Sequence, residues 1–96
     1  MNLIIVHNIK RSRFEVEVGG EYAFVEYQFY KEDIAIMHTY VPHHARGQGV
    51  ASALAKYVLD YVRDQKLNLL VFCPTVARYI RGHPEYEVLL DKVPRQ

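Results

Sequence analysis

The hydrophobic pattern of this chain changes its period once, near residue 48, and that change limits the folds open to it. Between Arg13 and Val18, apolar residues alternate with charged ones, which is typical of a half-exposed strand. From about Gln48 to Gln65, apolar residues instead recur every three or four positions, which indicates an amphipathic helix. The sequence therefore predicts strands in the first half of the chain and a long helix after them.

Turn residues divide the first half into strands. Gly19-Gly20 predicts a two-residue hairpin turn, because only glycine adopts a positive φ at little cost. The polar stretch from Lys31 to Asp33 predicts another turn, and Pro42 ends the last strand because proline cannot donate to the ladder. The result is an antiparallel meander of about four strands, over Leu3–Ile9, Arg13–Val18, Tyr22–Tyr30 and Ile34–Val41.

A fully apolar run, Leu69–Cys73, follows the helix and is bounded by Pro74. Such a run suits a strand that is buried on both faces of a sheet. A strand, a helix of this length and a further strand predict a right-handed crossover to a parallel neighbour. A shorter helix is predicted over about Val76–Arg81. The fold class is therefore α+β, and we expect residues 1–96 to form a single domain.

Charge and composition exclude several functions. The net charge of +1 gives no electrostatic attraction for nucleic acid, and the basic cluster Lys10–Arg13 suits a solvated turn. No apolar run approaches the roughly 20 residues that cross a bilayer, and Met1–Val6 contains no basic leader. The single cysteine, Cys73, cannot form an internal disulfide. We therefore expect a cytoplasmic protein without membrane or nucleic-acid partners, as a monomer or a weak dimer.

The junction between the fourth strand and the helix, Arg46-Gly47-Gln48-Gly49, is the best candidate for a ligand site. The first N–H groups of a helix have no partner within it, and the helix dipole adds partial positive charge there. Glycines also let an anion approach the backbone closely. A strand, a glycine turn and a helix start together predict phosphate binding. A simple turn without any ligand has the same local pattern and is the alternative.

The common nucleotide motifs do not fit this turn. A P-loop requires lysine and then Ser or Thr after its second glycine, whereas Val50-Ala51 stands there. The dinucleotide fingerprint requires three glycines in a βαβ unit that opens the chain, whereas a meander comes first here. No metal site is predicted either, because the possible ligands match no compact zinc spacing; they are His38, His43, His44, His83 and Cys73.

The pattern Arg46-x-x-Gly49-x-Ala51 is similar to the acetyl-coenzyme A signature of the GNAT N-acetyltransferases, Gln/Arg-x-x-Gly-x-Gly/Ala. Three further segments extend this likeness: His38-Thr39-Tyr40-Val41-Pro42, Cys73-Pro74-x-Val76 and His83-Pro84-Glu85-Tyr86. Together they resemble the minimal single-domain branch of the GNAT superfamily over nearly the whole chain. The resemblance implies a GNAT-like domain that takes acetyl-coenzyme A (acetyl-CoA) as cosubstrate and uses no metal.

The resemblance also implies which residues bind the cosubstrate. In the family, backbone amides of the turn hold the pyrophosphate of coenzyme A (CoA), and the preceding strand pairs its backbone with the pantetheine amides. That strand and the next parallel one splay apart, and the acetyl thioester lies in the gap. These roles fall on Tyr40 and Val41 for pantetheine, on Arg46 at the mouth of the loop, and on Gly47, Gln48, Gly49, Val50, Ala51 and Ser52 for the pyrophosphate.

Three residues are candidates for the chemistry, which requires a neutral amine, a polarised carbonyl and a proton for the departing thiolate. His38 precedes the turn and is either a structural residue or a base near neutral pH. Cys73 is either a small buried hydrophobe or a thiol that accepts the acetyl group. The resemblance implies that Tyr79 lies close to the position from which many GNAT enzymes protonate the thiolate.

We therefore predict an acetyl-CoA-dependent N-acetyltransferase that transfers acetyl directly to a small-molecule amine, a protein lysine or a protein N-terminus. The pair of helices that usually follows the first GNAT strand, and often shapes the acceptor site, has no room in this chain. The alternative is therefore a non-catalytic module that binds CoA or acyl-CoA as a sensor or adaptor. A ligand-free interaction domain is the remaining alternative.

Overall fold

The computed structural model describes residues 3–90; Met1, Asn2 and residues 91–96, which the predicted domain includes, lie outside the described residues. The described part consists of four strands, a long helix, a fifth strand and a shorter helix, with two short 3-10 segments. The elements are β1 (Val6–Asn8), β2 (Arg13–Val18), β3 (Glu21–Tyr30), β4 (Asp33–Tyr40), a 3-10 segment (His43–Ala45), α1 (Val50–Asp64), β5 (Asn68–Val71), α2 (Pro74–Gly82) and a second 3-10 segment (Pro84–Leu89).

The five strands form one sheet in the order β1-β2-β3-β4-β5. The first four pair antiparallel with their neighbours, and β5 pairs parallel to β4, with Ile34 opposite Leu69. Gly19 and Gly20 form the β2–β3 turn at φ values of +59° and +86°. The predicted α+β class, with a meander and a parallel-paired fifth strand, is therefore confirmed.

Both helices pack on the same face of the sheet. The apolar stripe of α1 is buried against β2 and β3, and α2 adds Val76 and Ile80 to the same core. Burial of each large apolar side chain contributes about 1.5–3 kcal/mol, so this face provides most of the hydrophobic stabilisation. The buried α1 residues are Val50, Leu54, Ala55, Val58, Leu59 and Val62.

A β-bulge at Met37 decides which way the end of β4 faces. Tyr27 pairs with Ile36 and Glu26 pairs with His38, so Met37 is the extra residue on β4. A shift of one residue exchanges the two faces of a strand. Ile36 is consequently buried beneath the helices, whereas His38 lies on the opposite face together with Glu26, which alternates with buried neighbours on β3.

The prediction that the apolar run Leu69–Cys73 is buried on both faces was wrong. Leu69 is buried, but Leu70 and Val71 are only partly buried, and Phe72 lies beyond the strand with 64% of its surface exposed. The reason is that β5 is an edge strand and that both helices of the described part cover the same face. We call the second face the open face; it carries Arg13, Glu15, Glu17, Tyr22, Phe24, Glu26, His38 and Tyr40.

A histidine beneath the helices makes stability depend on pH. The His7 ring stacks on Phe14 at 4.2 Å between centroids, and its Nε2 lies 2.5 Å from the Tyr27 hydroxyl. Burial lowers the pKa of His7 below its usual value of 6.5. The unfolded chain therefore binds a proton more readily, so stability is retained above about pH 6.5 and is lost as the pH falls from there through the lowered pKa.

We expect the Tm of the parent chain to fall by a few degrees more than that of His7→Phe between pH 7.5 and pH 5.5, because phenylalanine cannot take up the proton. Thermal melts followed by circular dichroism at both pH values measure the difference. The matched control is His43→Phe, which alters an exposed histidine and should keep the parent's pH dependence. An equal fall for the parent and His7→Phe would contradict this assignment.

Candidate active site

The loop between β4 and α1 holds two glycines in the left-handed region. Gly47 has φ +80° and Gly49, the residue that caps α1, has φ +82°. Other residues pay roughly 1–2 kcal/mol for this conformation. A Cβ built on either glycine would meet no atom within 4 Å, so the space beside the backbone is open. The loop therefore leaves room for a group that approaches the main chain closely.

Among residues 3–90, no side chain hydrogen-bonds to the N-terminus of α1. No side chain caps it, and its first turn contains no acidic residue. The main-chain bond from Ala53 N–H to the Gly49 carbonyl, at 3.0 Å, opens the helical ladder. The N–H groups of Val50, Ala51 and Ser52 consequently lack helical acceptors, as the first turn of any helix does. With the helix dipole, they form a site that favours an anion.

Two side chains hold the loop against its surroundings. Arg46 donates from Nε to the Val41 carbonyl at 3.0 Å, and Gln48 donates from Nε2 to the His44 carbonyl at 3.2 Å. Both contacts tie the glycine loop to the segment that directly follows β4. Gln48 is therefore directed back towards the first 3-10 segment.

A groove of about 540 Å³ runs along this loop. Its walls are the end of β4, the glycine loop, the first turn of α1 and one side of α2. It brings together most of the residues that the sequence assigned to the cosubstrate. The lining residues are His38, Thr39, Tyr40, Val41, Ala45, Arg46, Gly47, Gly49, Val50, Ala51, Ser52, Thr75 and Arg78.

The groove continues between α1 and α2. This extension has a volume of about 300 Å³ and shares Ala51, Ser52, Thr75 and Arg78 with the main groove. Thr75 and Arg78 were not predicted from the sequence. Their helical spacing could have indicated them, because four residues of α2 that line the extension fall at i, i+3, i+4 and i+7 along one helical face. These residues are Thr75, Arg78, Tyr79 and Gly82.

β4 and β5 separate beside the groove. Their parallel pairing reaches Ile36 and Val71, and the last main-chain bond runs from Phe72 N–H to the Ile36 carbonyl at 2.9 Å. β4 then continues to Tyr40 with no neighbouring strand on that side among the described residues. The two strands thus leave a gap next to the glycine loop.

Cys73 lies at the base of this gap and does not line the groove. Only 3% of its surface is exposed, and its Sγ lies 3.0 Å from Thr39 Oγ1. Thr39 lines the groove, whereas Cys73 does not. The contact links the end of β4 to the start of α2.

His38 and Tyr79 lie in different parts of the groove. His38 is exposed, lines the main groove, and has its ring 6.3 Å from that of Phe24 on the open face. Tyr79 lines the extension, where its ring stacks on His83 at 3.9 Å. Burial raises the pKa of Tyr79 above its usual value of about 10, at which a phenol is already protonated at neutral pH. The structure thus places a histidine at the gap and a protonated phenol beside α1.

Tyr86 attaches the second 3-10 segment to α1. Its hydroxyl donates to Asp60 Oδ1 at 2.6 Å, and its ring is buried.

In residues 3–90, no group of three or more His, Cys, Asp or Glu side chains could hold a metal ion. Neither helix of the described chain is long and apolar enough to cross a membrane.

Comparison with known proteins gives a consistent result. Residues 13–89 match the family model described as GCN5-related N-acetyl-transferase. The chain is 31% identical over 83 residues to protein NATD1 of Xenopus tropicalis, covering 83% of this chain and 76% of that protein. It is 32% identical to NATD1 of Gallus gallus and 31% to NATD1 of Homo sapiens, over the same number of residues.

A solved structure shares the fold. The solution NMR structure of a GCN5-like protein from Staphylococcus aureus superposes with a TM-score of 0.72, covering 99% of this chain and 94% of that one. At 23% sequence identity, this likeness concerns the fold alone.

Proposed function

The chain belongs to the GCN5-related N-acetyltransferase family, and from that premise we propose that it is an acetyl-CoA-dependent N-acetyltransferase that acts by direct transfer on an amine. The observation that carries the proposal is the uncapped start of α1 behind two left-handed glycines, at the head of a groove that leads to the β4–β5 gap. This combination suits a pyrophosphate at one end and a thioester at the other.

The residues fit the shape and charge of CoA. The open space beside Gly47 and Gly49 accommodates phosphate oxygens near the main chain. The amides of Val50, Ala51 and Ser52 then supply donors for the pyrophosphate, and Arg46 and Arg78 supply positive charge on either side of the groove. Tyr40 and Val41 border the gap, where their main chain would run beside the pantetheine amides.

The bound thioester supplies the acetyl group: the amine nitrogen bonds to its carbonyl carbon, the carbon–sulfur bond breaks, and the sulfur takes up a proton. We assign His38, exposed at the gap, to accept the proton that the amine gives up. Tyr79 carries its proton at neutral pH, as a phenol with an ordinary or a raised pKa does, so it is our candidate donor for the sulfur. Both assignments extend roles expected from the sequence.

Cys73 is better suited to structure than to covalent catalysis, because it is buried and hydrogen-bonded to Thr39. We expect Cys73→Ala to keep turnover within about threefold of the parent, since no acetyl-cysteine lies on the path. Assays of thiol release measure turnover, and intact-mass spectrometry after acetyl-CoA treatment detects any acetyl adduct on the protein. An acetyl adduct in the parent that is absent from Cys73→Ala, with loss of turnover, would establish a covalent route instead.

Arg78 gives a second test, because it lines both the groove and its extension. Loss of one charge-assisted hydrogen bond costs roughly 1.5–3 kcal/mol, so we expect Arg78→Ala to raise the Kd for acetyl-CoA about tenfold or more. The matched control is Arg81→Ala, which removes an exposed cation from the same helix outside the groove. Calorimetry distinguishes them, and equal affinities for the two variants would remove Arg78 from the site.

Release of free thiol from acetyl-CoA in the presence of amines tests the proposed activity as a whole. A panel of small amines, lysine peptides and peptides with a free N-terminus should contain at least one acceptor whose acetylated product is seen by mass spectrometry. Tight binding of acetyl-CoA without turnover across the panel would instead favour the sensor or adaptor function. Absence of acetyl-CoA binding would exclude both.

A further inference from the structure

Next to the groove, the open face carries a carboxylate that has no partner among residues 3–90. Glu26 is half-buried on β3, directly opposite Arg13 on β2 and His38 on β4. Side chains directly opposite in antiparallel strands have Cβ atoms about 4.5–5.5 Å apart. Within residues 3–90, however, the Glu26 carboxylate makes no hydrogen bond or ion pair. A half-buried charge of this kind gains from a partner supplied by a ligand.

The neighbouring cation is already engaged. Arg13 donates from Nε to Glu15 at 2.7 Å, and its guanidinium carbon lies 4.3 Å from the centroid of the Phe24 ring. Arg13 therefore neutralises Glu15 rather than Glu26. The contact also illustrates that an aromatic ring on this face binds a cation.

Aromatic rings connect Glu26 to the groove. Phe24 and Tyr40 are cross-strand partners with ring centroids 5.6 Å apart, and 39% of Tyr40 is exposed. His38 and Tyr40 line the groove, yet their cross-strand partners, Glu26 and Phe24, lie on the open face. A ligand on the open face thus reaches the β4–β5 gap at these two residues.

The charge of this surface favours a cation. Along β2 and β3, the open face carries three carboxylates, from Glu15, Glu17 and Glu26, against the one guanidinium of Arg13. Together with the exposed ring of Tyr40, Glu26 offers a carboxylate and a π-face to the same ligand. An alkylammonium group fits both.

The position of Glu26 also constrains the number of nitrogens in the acceptor. The nitrogen that attacks must be neutral, whereas an adjacent carboxylate stabilises the ammonium form and raises the pKa of the amine. Glu26 would therefore hinder a monoamine whose only nitrogen it bound. It suits a second nitrogen that stays charged throughout the reaction.

We propose that the acceptor is an aliphatic diamine or polyamine whose non-reacting ammonium binds Glu26 and the ring of Tyr40. The proposal rests on the proposed acetyltransferase function, because it requires the thioester in the groove. The neutral nitrogen at the other end gains the acetyl group and loses one proton towards His38, and the ammonium at Glu26 is unchanged. This assigns Glu26 a role in acceptor specificity.

A pair of amines that differ only in the second ammonium tests the proposal. We expect kcat/KM for 1,4-diaminobutane to exceed that for butylamine about tenfold or more, mainly through KM, as a charge-assisted hydrogen bond would give. Glu26→Gln should bring the ratio close to one. The matched control, Glu32→Gln, removes an exposed carboxylate from the turn at the far end of β4 and should keep the parent's ratio. A ratio near one in the parent, or a ratio preserved in Glu26→Gln, would overturn the proposal.

Two binding measurements separate this proposal from the proposed function. Calorimetry with acetyl-CoA should give the same Kd for the parent and Glu26→Gln, which also shows that the variant folds. An NMR titration with 1,4-diaminobutane should shift the amides of Glu26 and Tyr40 in the parent and not in Glu26→Gln. If acetyl-CoA binds and the diamine shifts neither amide, the acceptor proposal fails and the CoA site stands. If acetyl-CoA does not bind, the proposed function itself fails.

Discussion

We expect Gly49→Val to weaken acetyl-CoA binding by at least about a hundredfold. A side chain at this position would occupy the space beside the first amides of α1, which is open in the parent. Two charge-assisted hydrogen bonds at roughly 1.5–3 kcal/mol each are then lost, and each 1.4 kcal/mol is a factor of ten in Kd. Calorimetric titration with acetyl-CoA measures the change.

A second glycine provides the matched control for this substitution. Gly20, in the β2–β3 turn, has φ +86°, close to the +82° of Gly49, and its Cβ would also meet no atom within 4 Å. Gly20→Val therefore introduces the same backbone strain, roughly 1–2 kcal/mol, away from the groove. We expect both variants to lose similar stability and only Gly49→Val to lose acetyl-CoA binding. Retained affinity in Gly49→Val would show that the ligand does not contact this loop.

The second large effect is expected at His38. Removal of a positioned general base typically lowers rates by roughly 10²–10⁴-fold, so we expect His38→Ala to reduce kcat by at least about a hundredfold. The Kd for acetyl-CoA should stay within about twofold, because we place the phosphates at the glycine loop and not at His38. Steady-state assays of thiol release, with calorimetry on the same preparation, separate the two effects.

His43 is the control for this experiment, since it is an exposed histidine of the first 3-10 segment that does not line the groove. We expect His43→Ala to keep the parent's kcat. If His38→Ala were as active as the parent, His38 would be a structural residue of β4 and another group would have to accept the amine's proton.

Most of the fold could be predicted from sequence periods and turn residues. The alternation in β2, the glycine pair at the hairpin and the apolar stripe of α1 all identify elements that the structure contains. The burial of β5 could not be predicted in this way. An apolar run does not distinguish a central strand from an edge strand whose second face is uncovered, because that depends on where both helices pack.

The residues of the candidate site likewise differ in whether the sequence alone could identify them. The glycine loop is local in sequence, so its residues could be found together. The contribution of α2 depends on tertiary packing, and Arg78 was missed although its helical spacing with Thr75 was visible. The bulge at Met37 has no sequence signal of its own, yet it alone turns His38 onto the same face as Glu26.

We propose that the start of α1 and its glycine loop hold the phosphates of CoA. An NMR titration of the isotopically labelled chain with CoA gives a direct test, because it reports on each backbone amide separately. We expect the largest amide shifts, saturating at one equivalent, to fall in Gly47–Ser52. Saturable shifts that spare this segment, or no shifts at millimolar CoA, would contradict it.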